Sequence, residues 1–322
     1  MKTIRWGIIG CGDVTEKKSG PAFSKLPGSE LVSVMRRDAE KAADYATRHH
    51  VPRWYSDADE LIADEQVDAV YIATPPSSHK EYTLKVAAAG KPVFVEKPMA
   101  LNVSECVDMV EACESAGVPL LVAYYRRSLP RFEKMRELVQ GGAIGEPRAA
   151  LLRQFKRQDK SDPDVAWKVD PSVNGGGLFV DMQTHALDWL DHVLGPVQEV
   201  HGTFSNQGGL YDAEDTVSYT LKMNGGFLAS GIFAYTAGHE EESVTIYGTK
   251  GHVSMGFFSA SPVRLIRRSE VKEFDLPDPP HVHQPLIKTV LAHIRGTGQC
   301  PSTGESALRA TRVAEKILTA HR

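Results

Sequence analysis

An apolar run, Ile4–Ile9, ends directly in Gly10-Cys11-Gly12-Asp13-Val14-Thr15. Strand, glycine turn and helix in that order form the entry to a dinucleotide-binding α/β unit. The first glycine permits the tight turn, and the second lets main-chain amides approach a pyrophosphate at a helix start. Gly10, Gly12, Asp13 and Val14 are therefore candidate cofactor-binding residues. Thr15 stands where the fingerprint has its third glycine, which predicts looser contact between helix and strand. Ser19-Gly20-Pro21 predicts a break in that helix, because proline lacks an amide and clashes with the preceding turn. A glycine turn alone also serves other nucleotides, S-adenosylmethionine among them. The strand before it, the helix after it and a second strand about twenty residues on favour a dinucleotide.

The rest of the first 124 residues keeps the same rhythm. Apolar runs at Leu31–Met35, Ala69–Ala73, Val93–Val95 and Leu120–Tyr124 alternate with helical patterns at Ala39–His49, Asp59–Ala63, His79–Ala89 and Ser104–Ala116. Continuous rather than alternating apolar strands mean a parallel sheet covered on both faces. Beyond residue 125 the strands lengthen and alternate, at Arg148–Phe155, Glu199–Phe204, Thr216–Met223, Phe227–Tyr235, Ser243–Tyr247 and Val263–Arg267. Helical patterns follow at His185–Leu194, Gln284–Ile294 and Glu305–Ala320. The fold expected is α/β: a doubly wound parallel Rossmann sheet over 1–124, then an α+β domain over 125–322 with an open, mostly antiparallel sheet. Composition agrees with a globular chain, at 42% hydrophobic and 24% charged residues. A formal charge of -4, without a long Lys/Arg run, argues against a nucleic-acid partner. The absence of a long apolar stretch argues against a membrane span, and four scattered cysteines argue for a reducing cytoplasm.

The end of the second strand bears on which dinucleotide binds. An NAD site usually places an acid there for the ribose 2′-hydroxyl, but Leu31–Met35 runs into Arg36-Arg37-Asp38. Paired guanidinium groups suit a 2′-phosphate, and Asp38 is placed to cap the helix starting at Ala39. NADP is the expected cofactor, with NAD the alternative. Thr74, Pro75 and His79 follow the Ala69 strand, and Glu96-Lys97-Pro98 follows Val93–Val95, both at carboxyl ends where ligands of open α/β sheets bind. His79 reads equally well as a helix-start residue without a ligand. Lys97 can donate to a substrate oxygen that gains negative charge. In Gly175-Gly176-Gly177-Leu178-Phe179-Val180-Asp181-Met182-Gln183-Thr184-His185, Asp181 and His185 are four residues apart and share a helix face. Asp181 also suits the helix cap, and the histidine suits proton transfer near neutral pH.

The combination of Ala89-Gly90-Lys91-Pro92-Val93-Phe94-Val95-Glu96-Lys97-Pro98 with the Gly-Gly-Gly-x3-Asp-x3-His stretch resembles the glucose–fructose oxidoreductase/inositol dehydrogenase (Gfo/Idh/MocA) family over nearly the whole chain. That resemblance implies an NAD(P)-dependent dehydrogenase or reductase acting on a secondary alcohol or ketone, with a sugar or cyclic polyol as the expected substrate. It implies that Lys97, Asp181 and His185 are catalytic, with His185 exchanging the proton and Asp188 in support. Tyr125 stands where the family has asparagine; Tyr125, Arg126 and Trp167 resemble its substrate-lining positions, alongside Asp181 and His185. Dihydrodiol or biliverdin-type reductases, and dinucleotide-binding regulators without turnover, are the alternatives within the same fold. The polar stretch Phe155–Asp164 weighs lightly against a flat aromatic substrate. The resemblance also implies association through the outer face of the second sheet, as a homodimer or homotetramer. Both faces of Phe227–Tyr235 are apolar, in keeping with that. No metal is expected. His49-His50 and His281-Val282-His283 read as solvated loop histidines, Cys11 as a thiol that is either oxidation-sensitive or inert, and Glu240-Glu241-Glu242 as an exposed charge run.

Overall fold

A computed structural model describes residues 3–157 and 166–319. The chain divides into two compact units, Met1–Tyr125 with Pro279–Leu308, and Arg126–Asp278 with Arg309–Arg322. In the first unit β1 (Ile4–Ile9), β2 (Ser29–Met35), β3 (Arg53–Tyr55), β4 (Ala69–Ile72), β5 (Val93–Val95) and β6 (Leu120–Val122) form a parallel sheet of order β3-β2-β1-β4-β5-β6. Its central strands are apolar throughout because both faces are covered. One face stacks Trp6, Phe23, Tyr71 and Phe94, with ring centroids 4.9 to 6.5 Å apart. The other is built from aliphatic residues such as Ile9, Val70, Val95 and Val122.

The expected boundary places everything after residue 124 in one second domain, whereas Pro279–Leu308 belongs to the first unit. Helix Gln284–Ile294 carries Leu286, Ile287, Val290 and Leu291 on one stripe, and that stripe completes the aromatic core around Trp6 and Phe23. Ser302 then donates its hydroxyl to the Val122 carbonyl at 2.7 Å.

The second unit holds an eight-stranded sheet of β7 (Pro147–Arg157), β8 (Val197–Ser205), β9 (Thr216–Met223), β10 (Leu228–Ala234), β11 (Thr236–Gly248), β12 (Gly251–Met255), β13 (Val263–Arg267) and β14 (Glu270–Phe274). The order is β14-β13-β12-β11-β7-β10-β9-β8, antiparallel except for the β7–β10 pair. Ala229, Gly231 and Phe233 of β10 point into the core, and Leu228 and Ile232 point out. Helices Pro130–Gln140 and Thr184–Leu194 meet through Phe132 and Trp189, whose centroids are 5.7 Å apart, with Phe257 against both. Glu242 is not part of an exposed charge run. Its carboxylate accepts the amides of Phe257, Phe258 and Ser259 at 2.7 to 3.0 Å and shapes the loop after β12.

Candidate active site

At the carboxyl end of β1, Gly10 turns with φ of 91°, and a Cβ there would sit 2.7 Å from Thr74 Cγ2 and 2.9 Å from the Thr74 amide nitrogen. Only glycine allows β1 and β4 to end so close together. Gly12 has open space instead, since its Cβ would meet nothing nearer than Gly10 O at 3.9 Å. The helix that follows covers only Asp13–Lys17, and a second short helix, Gly20–Lys25, begins after the expected break. Thr15, in the place of the third glycine, is fully buried. Its hydroxyl donates to Gly12 O at 2.7 Å and accepts the Gly12 amide at 3.0 Å, tightening the turn from within. The amides of Asp13 and Val14 open the helix, where no earlier carbonyl is available to them.

Above this turn lies a cleft of about 350 Å³ lined by Gly10, Cys11, Gly12, Met35, Arg36, Arg37, Asp38, Ala73, Thr74, Pro75 and Tyr82. Met35, Ala73 and Tyr82 are strand-end or helix residues with no motif of their own, whereas Cys11 sits within the glycine turn. Burial pushes the Cys11 thiol up to about 11, so the side of that choice the structure favours is an inert thiol. Arg36 donates from Nη1 to Cys11 O at 3.3 Å. Asp38 caps helix Ala39–Arg48 by accepting the Lys41 amide at 3.1 Å, which holds its carboxyl below the usual range.

His79 does not line the cleft. It is fully buried, with Nε2 facing Thr74 O at 2.7 Å and Nδ1 facing Pro98 O at 3.0 Å, so it joins the loops after β4 and β5. Burial keeps its pKa below the ordinary imidazole value, against the pull of those carbonyls. Glu96 is also buried beneath the loops and accepts the Tyr71 hydroxyl and, on Oε2, the Lys97 amide at 3.2 Å. Burial alone would raise its carboxyl; His283, Tyr71 and Lys97 together bring it down to about 2. Lys97 is half-buried at the end of β5. Of the histidines read as solvated loops, His49, His281 and His283 prove to be partnered, and His50 is exposed. His283 is 1% exposed and places Nε2 3.2 Å from Glu96 Oε1. His281 faces Lys17 O at 2.7 Å, and His49 stacks on Tyr45 at 4.1 Å while contacting Glu16 at 2.8 Å. No sequence signal joins His283 to Glu96, because only the folded return of Pro279–Leu308 does so.

In the second unit, Asp181 does not cap the helix of His185. It lies in a π-helical turn, Phe179–Gln183, that runs without interruption into Thr184–Leu194. A wider turn here changes the angular offset expected of an α-helix and is a recurrent local feature of functional sites. His185 is buried and Asp181 half-buried. Gln183 donates to Gln154 Oε1 at 2.8 Å and to the Tyr235 hydroxyl at 3.3 Å, and Tyr235 lies within the field of Asp181. Glu214 accepts the Gly177 amide at 3.0 Å. Gln154, Glu214 and Tyr235 carry no motif of their own and are joined to this stretch only by the fold.

Arg126 is 8% exposed, donates to Phe257 O at 2.7 Å, and lies 4.8 to 5.3 Å from the ring centres of Phe132, Phe257 and Phe258. Trp167 is exposed, with the Lys168 ammonium 5.6 Å from its ring centre. Tyr125 belongs to the first unit and meets His283 edge-on, centroids 4.5 Å apart. Asp188 binds Arg127 through two contacts at 2.7 and 2.8 Å, fixing the helix of His185 to the segment after β6. Among the described residues no group of three His, Cys, Asp or Glu side chains could hold a metal ion.

A glycine turn closed against β4, a cleft at the strand ends and an Asp–His helix in a second sheet unit define a two-unit dinucleotide-dependent oxidoreductase. Sequence comparison specifies the family: residues 4–124 match the oxidoreductase family model with an NAD-binding Rossmann fold, and residues 132–254 match the GFO/IDH/MocA C-terminal domain. The chain belongs to the Gfo/Idh/MocA oxidoreductases. It is similar to Oxidoreductase P35 of Formosa agariphila, at 35% identity over 97% of each chain. It is similar to the 1,5-anhydro-D-fructose reductase of Ensifer adhaerens, at 31% identity over 94% of this chain and 92% of that one. The trans-1,2-dihydrobenzene-1,2-diol dehydrogenase of Sus scrofa shares 31% identity over 86% of this chain and 81% of its own.

Proposed function

We propose that this oxidoreductase interconverts a ketone and a secondary alcohol on a sugar or cyclic polyol, with NADP(H) as its cofactor. The observation that carries the reading is Lys97 at the end of β5, its main chain anchored by a buried carboxylate, on the same sheet as a cleft fitted to a dinucleotide. The cleft residues fit the cofactor: Gly12 leaves room for an anion, the Asp13 and Val14 amides are directed to none of the helix carbonyls, and two guanidinium groups stand at the end of β2. Bound NADPH supplies the hydride. Lys97 donates to the substrate oxygen as it gains negative charge, Asp181 binds and orients that hydroxyl, and His185 delivers or removes the proton. Tyr125 and Trp167 serve as the substrate-facing aromatic groups. The similarity to 1,5-anhydro-D-fructose reductase supports a sugar; that to the dihydrodiol dehydrogenase makes a dihydrodiol the second class to test.

Loss of reduced-nicotinamide absorbance against a panel of keto-sugars, inososes, dihydrodiols and aromatic ketones tests the reading. Turnover is expected on a sugar-type ketone. Tight cofactor binding with turnover on no member of the panel would instead make the chain a dinucleotide-binding regulator.

NADP preference rests on Asp38. Its carboxylate is committed to the helix cap and to Lys41 at 3.2 Å, which leaves Arg36 and Arg37 as the charged groups to meet the ribose. Replacing both arginines by alanine is expected to weaken NADPH binding roughly tenfold or more while leaving NADH binding within about twofold. Equal loss for both cofactors in a fluorescence titration would overturn the preference.

The four cysteines are buried thiols, which supports a cytoplasmic setting. No helix among the described residues is long and apolar enough to cross a membrane. The outward side chains Leu151, Leu228, Ile232 and Tyr247 are exposed on neighbouring strands β7, β10 and β11, and support a homodimer or homotetramer through that sheet face. Leu228→Lys with Ile232→Lys should lower the mass seen by light scattering. An unchanged mass, or a monomer in the wild type, would sink the association.

A further inference from the structure

His283 precedes helix Gln284–Ile294 and closes a network that spans four elements of the first unit. Its amide donates to Lys18 O at 3.2 Å, in the break between the two short helices after the glycine turn. Its Nε2 lies 3.2 Å from Glu96 Oε1, the same oxygen that receives the Tyr71 hydroxyl. The other oxygen, Oε2, accepts the Lys97 amide at 3.2 Å. Tyr71 also lies 3.2 Å from the Ser19 hydroxyl, and Tyr125 closes the outer side of the imidazole edge-on. One buried carboxylate is thus held on one oxygen and itself holds the Lys97 main chain with the other.

Packing does not account for a histidine at this place. The ring is 1% exposed, and neither of its nitrogens meets a hydrogen-bond partner among the described residues; Nε2 lies within ion-pair reach of Glu96 Oε1, at 3.2 Å, while Nδ1 faces no charge partner. A buried polar nitrogen left over costs stability relative to an apolar ring, and a phenyl group would offer Tyr125 a similar edge. What an imidazole offers and a phenyl ring does not is the Nε2 contact with Glu96.

We propose that His283 is a positioning residue for the reaction: through Glu96 it fixes the main chain of Lys97 and so sets where the ammonium group meets the substrate oxygen. This rests on the reading of Lys97 given above. The groups facing the pair are Tyr71 from β4, Lys97 from the loop after β5, Tyr125 after β6, and His79, which feels the charge of Glu96 from its own helix. Without the His283 ring, burial works against the Glu96 charge with less to oppose it, so the carboxyl gains a proton more readily as pH falls. A neutral Glu96 no longer holds the Lys97 amide as firmly.

The test measures NADPH affinity, melting temperature and kcat from pH 6 to 8 for His283→Phe, His283→Gln, His283→Asn and Lys97→Ala. His283→Phe is expected to melt below wild type, because Glu96 loses a charge partner in the core, and to bind NADPH within about twofold. It should lose roughly ten- to a hundred-fold in kcat, with the loss deeper at pH 6 than at pH 8. His283→Gln, whose amide nitrogen reaches toward the Nε2 position, should recover most of the rate, and His283→Asn, one carbon shorter, should not. This contrast carries the test should the phenylalanine variant fail to fold. Wild-type kcat and pH profile in His283→Phe, or equal rates for Gln and Asn, would overturn the role of His283 while an inactive Lys97→Ala leaves the reading of Lys97 intact. Full activity in Lys97→Ala would overturn that reading itself.

Discussion

Lys97→Ala is expected to lower kcat roughly a hundred- to a thousand-fold, the loss typical of removing one preorganised donor to a developing oxyanion. NADPH affinity should change little, because Lys97 does not line the cleft over the glycine turn. The magnitude follows from preorganisation. β5 lies between β4 and β6, the Glu96 amide donates to Ile72 O at 2.9 Å, and Glu96 Oε2 accepts the Lys97 amide, so the main chain under the ammonium group is held on both sides. A donor fixed before the reaction stabilises the transition state without reorganisation cost. Lys97→Arg retains charge but spreads it over a planar fork, and should recover only a small part of the rate. Stopped-flow measurement of the hydride step separates this loss from slow product release. A variant with unchanged kcat would remove Lys97 from the mechanism.

Arg127→Ala is expected to be the most destabilising single substitution in the second unit. Arg127 and Asp188 are 3% and 1% exposed and make two contacts at 2.7 and 2.8 Å, with Asp191 at 3.6 Å from the same guanidinium. Removing the arginine leaves two carboxylates near each other in the core, a change that costs about 3–5 kcal/mol for a broken buried pair. Thermal melting should fall by roughly 10 °C. Asp188 lies one turn beyond His185, so the same variant should also lose activity below its melting point as the helix shifts. Replacing the pair together, Arg127→Met with Asp188→Leu, should recover most of the stability, since an apolar pair avoids the desolvation cost. If the double variant melts as low as Arg127→Ala, the pair contributes through geometry and not through its charges.

The parts of this molecule that were legible in the sequence share a physical cause. Continuous apolar runs mark strands covered on both faces, which located β1, β2, β4, β5 and β6. The strained φ of Gly10 and the cap of Asp38 are local requirements that a short window of residues displays. β3 escaped because Arg53–Tyr55 is three residues at a sheet edge with no apolar run to betray it. The polar strand β14, Glu270–Phe274, escaped for the same reason. The π-helical turn at Phe179–Gln183 leaves no mark, because one extra residue in a turn does not change composition. The packing of Arg126 against Phe257 and Phe258 leaves no local mark, because those rings come from a distant part of the chain. His283 lies far along the chain from Glu96, and nothing but the return of Pro279–Leu308 to the first sheet brings them together. What a window of residues misses here is contact made at long range.

The claim on which the rest depends is hydride transfer from a bound nicotinamide to a carbonyl carbon. The most direct measurement uses NADPH deuterated at C4, each face labelled in turn, with the best ketone of the panel and mass spectrometry of the product alcohol. Deuterium carried to the new carbinol carbon from one face only, at a rate roughly a hundred- to a thousand-fold lower in Lys97→Ala, is the predicted result. Cofactor oxidation without deuterium in the product, or no oxidation despite saturating cofactor, would contradict it.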